Sequence, residues 1–340
     1  MTPTLQILRA GPQMTVQDLG RPALTAQGLA TGGAADRTAL AEAAALLNLA
    51  HFPAAIEMAG MGGEFAVTLP TRIALTGAPM RAKVDAKEIG WKQTHLILPG
   101  QRLSIGGALS GVYGYLATAG GIATEPVLGS RSTHLVGNIG QILAAGDGLI
   151  LGPDPTPNAP TVRITPEPRF SGGAVRMMPG PQTGLFEKAE LARFLASEFA
   201  RGAASNRQGV RLEHGGAPFQ AGEAAGLASD FIAVGDVQMT GDGVPYVLLS
   251  ECQTMGGYPR IGTVIGADLS RIAQLFLGGR VRFTLISVEE ADRLYRSPAQ
   301  MIAEAKSRVA PLVRDPSEIS DLLGYQLIGG VVSGRDEEEY

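Results

Sequence analysis

The sequence predicts a mainly β protein with flanking helices, an α+β fold, on three observations. Between Ala54 and Leu151 short apolar runs recur, separated by Gly, Pro or Asp, which is the pattern of strands in a sandwich or barrel. The 46 glycines and 22 prolines among 340 residues are dispersed along the chain, as tight turns between many short strands require. Helical periodicity is confined to a few short stretches, most of them opening on a capping residue.

Leu5–Leu8 reads as the first strand. It leads through Gly11-Pro12-Gln13 into the polar loop Thr15–Arg21, which sets Asp18 and Arg21 three residues apart. A second glycine loop ends at Asp36, a natural N-cap, and Leu40, Ala43, Ala44 and Leu47 then fall at helical spacing, so Asp36–Leu49 is predicted as an amphipathic helix. Strands are predicted at Glu64–Leu69, Arg72–Thr76, Thr94–Leu98, Arg102–Ile105 and Val112–Ala119. The turn Gly129-Ser130-Arg131-Ser132-Thr133 offers N–H groups, hydroxyls and a guanidinium suited to an anion, and it reads equally well as a hydroxyl-rich turn.

Gly152–Pro160 holds four prolines in nine residues, which disfavours helix and sheet alike. It divides the chain into a first half over 1–152, a linker over 153–160, a second half over 161–315 and a partly disordered acidic tail over 316–340. The second half opens as the first does, with a strand, Ala174–Met178, and then Gly180-Pro181-Gln182, a hint of internal duplication. Leu185–Gly202 is predicted as a helix with Leu191, Phe194, Leu195 and Phe199 on one stripe. A strand over Tyr246–Ser250 then delivers the glycine-rich stretch Glu251–Asp268. Asp268 is expected to cap a helix running to Leu277, followed by a strand over Val281–Ile286. Ser287 with Glu290 reads as a capping box, and Ser297-Pro298 opens the last helix.

Composition narrows the function. The net charge of −4, without a Lys/Arg cluster, argues against nucleic acid or an anionic membrane as partner. No run of about 18 apolar residues and no leader-like start is present, so a cytoplasmic protein is expected. The single cysteine, Cys252, excludes an internal disulfide and reads as apolar filler behind a turn. His51, His95, His134 and His214 lack metal-site spacing, and no metal site is predicted. Phosphate-loop, dinucleotide and hydrolase-elbow motifs are missing. What remains is a set of loops rich in Gly, Gln, Arg and Asp, suited to positioning a small polar ligand.

Those loops together carry a resemblance. Thr15–Arg21, Gly33-Ala34-Ala35-Asp36, Gly129–Thr133 and Gln253-Thr254-Met255-Gly256-Gly257-Tyr258-Pro259, with Asp268 and Gln274 downstream, occur in one order. Over about Gln6 to Phe283 the chain resembles the biotin-dependent carboxyltransferase, or allophanate hydrolase subunit 2, family. That family includes the C subunit of 5-oxoprolinase and the kinase-inhibitor antagonist Kip A, and it is similar to half of the carboxyltransferase domain of urea carboxylase.

The resemblance implies two cyclophilin-like β-barrel subdomains. It also implies a partner B subunit, of the allophanate hydrolase subunit 1 or Kip I-like kind, that supplies the other half of the site. In the oxoprolinase version it implies an A subunit as well, with ATP driving the ring opening of 5-oxoproline. In the carboxylase version it implies carboxybiotin as donor and a small amide such as urea as substrate. The chain has no Met-Lys-Met motif, so biotin would sit on another protein. A third implied role is regulatory: binding a Kip I-like partner without turnover.

It further implies catalytic candidates Asp18, Arg21, Asp36, Glu57 and Arg131. Its substrate- or donor-binding candidates are Ser130, Ser132, Gln182, Arg207, Gln238, Gln253, Thr254, Gly256, Gly257, Tyr258 and Asp268. Thr254, Gly256, Gly257 and Tyr258 are expected to face a canyon also lined by Asp18, Arg21 and Arg131. Three positions depart from the family pattern: Asn206 replaces Asp, Gln141 replaces Arg, and Glu251 replaces Asp.

Overall fold

The structure, a computed structural model, describes residues 2–220, 222 and 227–313, so the acidic tail expected over 316–340 lies outside the described residues. The mainly β class holds. The first half is built from two antiparallel sheets. One runs in the order Gly148–Ile150, Thr4–Arg9, Glu64–Val67, Leu103–Ala108, Met80–Val84, Lys87–Ile89. The other runs Thr15–Gln17, Ala55–Ala59, Tyr113–Thr118, Thr71–Gly77, Thr94–Ile97. An apolar core that includes Leu5, Ile7, Ile56, Phe65, Ile73 and Leu116 fills the space they enclose. The second half is a closed seven-stranded barrel: Gly172–Met178, Arg260–Val264, Asp236–Met239, Pro245–Leu248, Gly209–Glu213, Phe199–Arg201 and Arg280–Leu285. Gly152–Pro160 carries neither helix nor strand, yet it is tied down, because Arg72 donates to both oxygens of Asp154 at 2.7 and 2.9 Å.

The strands Thr71–Gly77 and Tyr113–Thr118 are buried along their whole length, because their sheet is covered on both faces. One face meets the first-half core. The other meets helix α1, Arg37–Leu46, whose residues from Ala39 to Leu46 are all buried. Five alanines in that helix let its backbone lie close to the sheet and to the second half, and one continuous apolar core runs from α1 into the barrel.

Two helices differ from expectation in their bounds, and a third in its cap. The helix predicted over Leu185–Gly202 is α2, Lys188–Ala196, and Phe199 belongs to a strand. Ser197 ends α2 by donating its hydroxyl to Arg193 O at 2.8 Å, and Phe199–Arg201 closes the barrel between its two neighbours. Phe199 thereby joins Phe194, Phe219 and Phe283 in one aromatic cluster. Helix α3 spans Gly266–Ala273, with Ile265 as N-cap, so Asp268 stands inside its first turn and caps nothing. Both Asp268 oxygens pair with Arg176 instead. Helix α4, Val288–Arg293, has the Ser287 cap without the reciprocal Glu290 bond; α5, Pro298–Lys306, has the full capping box, from Ser297 and Gln300.

A seam of buried polar groups joins the halves. Arg169 donates to Asp36 at 2.8 Å and to both oxygens of Glu42 at 2.9 Å. Lys92 reaches Glu42 at 3.1 Å. Gln274, at the end of α3, donates to Asp36 at 2.7 Å and to Tyr113 O at 2.8 Å while its oxygen accepts from Val112 and Tyr113 N–H. Arg207 donates to Glu57, to Glu251 at 2.6 Å and to Gly33 O at 2.6 Å. Tyr115 links the two groups, donating to Glu57 at 2.6 Å and accepting from Asp36 N–H at 2.8 Å.

Burial alone would raise the Glu42 carboxyl, but Arg169 and Lys92 outweigh it and hold the pKa at about 2. A depressed carboxyl stabilises the fold fully above its unfolded value and loses that contribution as pH falls through the folded value. Unfolding free energy measured by denaturant titration is therefore expected to fall as pH drops from about 4.5 toward about 2. Arg169→Met, which removes the guanidinium shared by two buried carboxylates and leaves them the side chains of Lys92 and Gln274, is expected to cost roughly 3 kcal/mol at neutral pH by the same method.

Candidate functional site

Two glycine loops set the position of the site. Gly20 and Gly33 both have positive φ, 83° and 84°, and lie back to back: a Cβ on Gly20 would fall 2.3 Å from Thr31 O, and one on Gly33 would fall 2.6 Å from the Leu19 carbonyl carbon. Only glycine permits this approach. Arg21 N–H donates to Thr31 O at 2.6 Å and Ala34 N–H to Asp18 O at 2.8 Å, which fixes the two loops as one unit. Gly32 N–H donates to Ser250 O at 2.9 Å, which carries the unit onto the second half.

Beside this unit lies a cavity of about 520 Å³. The first half contributes Ala30, Thr31 and Ala34 together with the outer face of α1, including Arg37 and Thr38. The second half contributes Ile232–Val234, Leu249–Ser250, Cys252–Thr254 and the first turns of α3. Tyr295, Arg296, Met301, Glu304 and Arg308 form a further wall. Thr38 and Ser270 share a hydroxyl hydrogen bond of 3.0 Å across the seam. The walls are mostly apolar, with a few hydroxyl and amide groups and the charged side chains of Arg37, Glu167, Arg296, Glu304 and Arg308.

The expected site residues fall into four places, apart from Asp268, which is paired with Arg176 in the first turn of α3. Gln253 and Thr254 line the cavity. Asp36, Glu57 and Arg207 are buried in the seam behind it. Asp18, Arg21, Ser130, Ser132 and Arg131 form a self-contained loop cluster. Asp18 accepts from the hydroxyls of Ser130 and Ser132 and from the N–H groups of Arg131 and Gly20. Burial alone would raise its pKa, and these donors together lower it. Arg21 is buried and donates to the carbonyls of Val127, Ser130 and Ser132, while Arg131 donates outward to Thr124 O. Gln182, Gln238, Gly256, Gly257 and Tyr258 lie around Arg260 at the barrel. Gln182 accepts from Arg260, a Cβ on Gly256 would meet Gln238 Nε2 at 2.8 Å, and Tyr258 is exposed.

Of the residues expected to share a canyon, Thr254 lines this cavity, whereas Asp18, Arg21, Arg131, Gly256, Gly257 and Tyr258 are not among its lining residues. The hydrogen-bonding capacity of Asp18 and most of that of Arg21 is already used within their own loops, which ties them to loop geometry. Arg37, Thr38, Ser270, Arg296 and Glu304 were not singled out from the sequence. Arg37, Thr38 and Glu304 are exposed or half-buried helix residues, Arg296 lies in the turn between α4 and α5, and Ser270 is buried in α3, all places where a polar residue carries no particular signal.

Cys252 touches the cavity, but its thiol is pushed up to about 12 by burial, with Asp236 adding to the effect. The lining carboxylates Glu167 and Glu304 face Arg296 at 3.7 and 3.1 Å. The cavity thus offers binding and orientation, and neither a ready thiolate nor an unpaired carboxylate. Among the described residues no group of His, Cys, Asp or Glu is arranged to hold a metal, and no helix is long and apolar enough to cross a membrane.

The chain is thus a two-part β architecture, its halves joined across a polar seam with a cavity at the junction. Residues 27–285 match the family model described as carboxyltransferase domain, subdomain A and B, and the chain belongs to that family. It is 36% identical over 296 residues to the 5-oxoprolinase C subunit of Escherichia coli (strain K12), covering 84% of this chain and 93% of that protein. It is 28% identical to urea amidolyase of Lachancea kluyveri over 86% of this chain, which is 17% of that longer protein. Among solved structures, TTHA0988 superimposes with a TM-score of 0.75 at 30% identity, covering 83% of this chain and 56% of that one. Kluyveromyces lactis urea amidolyase matches in fold, with a TM-score of 0.77 at 23% identity over 93% of this chain and 21% of that one.

The raised Cys252 pKa gives a direct expectation: iodoacetamide at pH 8 alkylates the folded protein far more slowly than the urea-unfolded chain, by roughly the thousandfold ratio that separates a thiol of pKa about 12 from an ordinary one. Mass spectrometry of the Cys252 peptide reads the rate, and equal rates would contradict the burial described.

Proposed function

We propose that this chain is the C subunit of an ATP-dependent 5-oxoprolinase-type complex. In this reading it binds a small cyclic amide in the cavity at the seam and acts with a partner B subunit, and with an A subunit in the full assembly. The observation that carries the reading is the 36% identity to the C subunit of Escherichia coli 5-oxoprolinase over 93% of that protein's length.

An amide is a poor electrophile because its nitrogen lone pair is delocalised, so an enzyme must fix it, polarise its carbonyl and exclude competing water. This chain supplies the first of these needs. Gln253 can match the donor and acceptor edges of a ring amide, and the hydroxyls of Thr31, Thr38, Thr254 and Ser270 give further bonds from walls fixed by the seam. ATP would supply phosphoryl activation of the amide, but the cavity does not fit a triphosphate. Its charged lining is three arginines against two glutamates, and no glycine-rich phosphate loop borders it. ATP is accordingly assigned to the partner subunits, together with the acid–base groups that this cavity lacks.

A carboxyltransferase reading is the second. It is favoured by the description of the matched family and by the urea amidolyase relatives. There the cavity would hold a small urea-like amide, and carboxybiotin would arrive on a separate carrier protein.

Co-expression of the chain with the proteins encoded beside it separates the two. The proposal expects a stable complex that releases glutamate from 5-oxoproline only with ATP, and Thr254→Val or Gln253→Ala is expected to lower kcat/KM about tenfold. An intact complex that releases no glutamate contradicts it. Carboxylation of urea by a carboxybiotin carrier, in the absence of glutamate release, selects the second reading.

A further inference from the structure

Three arginines stand close to the seam, and they are not equivalent. Arg169 and Arg207 are buried and clamped by carboxylates, and those carboxylates raise their pKa against the effect of burial. Arg37, at the first position of α1, has no carboxylate within ion-pair distance among the described residues. Its guanidinium makes a single long bond, to Leu19 O at 3.4 Å. The enclosing walls lower its pKa, with the Tyr295 hydroxyl group acting the other way, as befits a cation lacking a counter-charge.

Arg37 lines the cavity and is exposed there. The other charged lining groups are accounted for: Arg296 faces Glu167 and Glu304, and Arg308 faces Glu167 and Glu42. The position of Arg37 is also fixed, because its neighbour Asp36 is held by Arg169 and Gln274 and its neighbour Thr38 is bonded to Ser270. An unpaired guanidinium on a rigid element, in an otherwise mainly apolar cavity, is a receptor for one planar anion.

We infer that Arg37 is a specificity-determining residue that receives the carboxylate of a small monoanionic ligand in the cavity. The class is a monocarboxylate because the lining carries one arginine in excess of its glutamates, too little positive charge for a polyphosphate. For the substrate, the inference rests on the oxoprolinase reading. The carboxylate of 5-oxoproline would sit on Arg37 and its ring amide would extend toward Gln253 and Thr254. This sets the orientation of the substrate without giving Arg37 a part in the chemical step.

The test uses the purified complex and two readouts. In steady-state kinetics Arg37→Gln raises KM for 5-oxoproline about 10- to 100-fold, with a much smaller fall in kcat. Arg37→Lys recovers part of the loss, and neither variant changes the thermal midpoint. In the second readout, phenylglyoxal modification of Arg37 is followed by peptide mass spectrometry, with 5-oxoproline or its neutral carboxamide as protectant. Protection by the acid alone supports the inference. Equal protection by both places the ligand in the cavity without a carboxylate contact and overturns it. Turnover without protection by either also overturns it. If the complex does not turn over 5-oxoproline, the oxoprolinase reading fails on its own, and acetate against acetamide as protectants then decides the role of Arg37. Protection by acetate alone upholds a carboxylate receptor, and equal or no protection refutes it.

Discussion

The arrangement depends on two buried arginines of the second half reaching carboxylates of the first, with Glu251 of the second half completing the set around Arg207. Arg169 enters between Asp36 and Glu42, and Arg207 between Glu57 and Glu251. Each guanidinium has left water, which is unfavourable, and each recovers that loss only because its hydrogen-bonding positions are matched by oxygens held at the right distance. Such a seam is poor at adding net stability and good at discriminating between docking geometries, because any sliding of one half on the other leaves a charge buried and unpaired. Apolar contact between α1 and the barrel supplies the attraction, and the charged pairs supply the register.

Register is what the cavity needs. Its walls come from both halves, and the residues that face it are sequence neighbours of those that hold the seam. Asp36 is buried while Arg37 and Thr38 look into the cavity. Ser250 and Glu251 bond Arg207 while Gln253 and Thr254 look out. Gly33 gives its carbonyl to Arg207 while Ala34 lines the wall. The seam and the site are thus opposite faces of the same short segments, and a change that loosens the first displaces the second. This explains how charged residues with no contact to the cavity can still belong to the family's ordered motifs.

Much of the fold was legible in the sequence because its signals are local. The Asp36 cap, the Ser297-Pro298 helix start and the alternating strands of the first half follow from propensity and spacing. The misreadings have tertiary causes. Phe199 continues the apolar stripe of α2 perfectly well, but closure of the barrel requires a strand there. Ala55–Ala59 was not predicted as a strand, and the carboxylate of its Glu57 is accommodated in the interior by Arg207 from the other half together with the Tyr115 hydroxyl and the Ala35 N–H. Asp268 has the composition of a cap, but Arg176 engages it two residues inside the helix it was expected to open.

The site was less legible than the fold. Ordered motifs singled out particular loops, but a motif cannot say which of its members face a ligand and which hold the loop. Asp18 and Arg21 are bonded within their own loops, whereas Arg37, with no motif signal, lines the cavity. The central claim is that the ligand lies in the seam cavity, between α1, the Gln253–Thr254 turn and the start of α3. A crystal structure of the complex with 5-oxoproline bound and ATP withheld tests it most directly. The account predicts density for the amide in that cavity with its carboxylate toward Arg37. Density at the Asp18–Arg131 loop or beside Arg260 at the barrel, with the seam cavity empty, would contradict it.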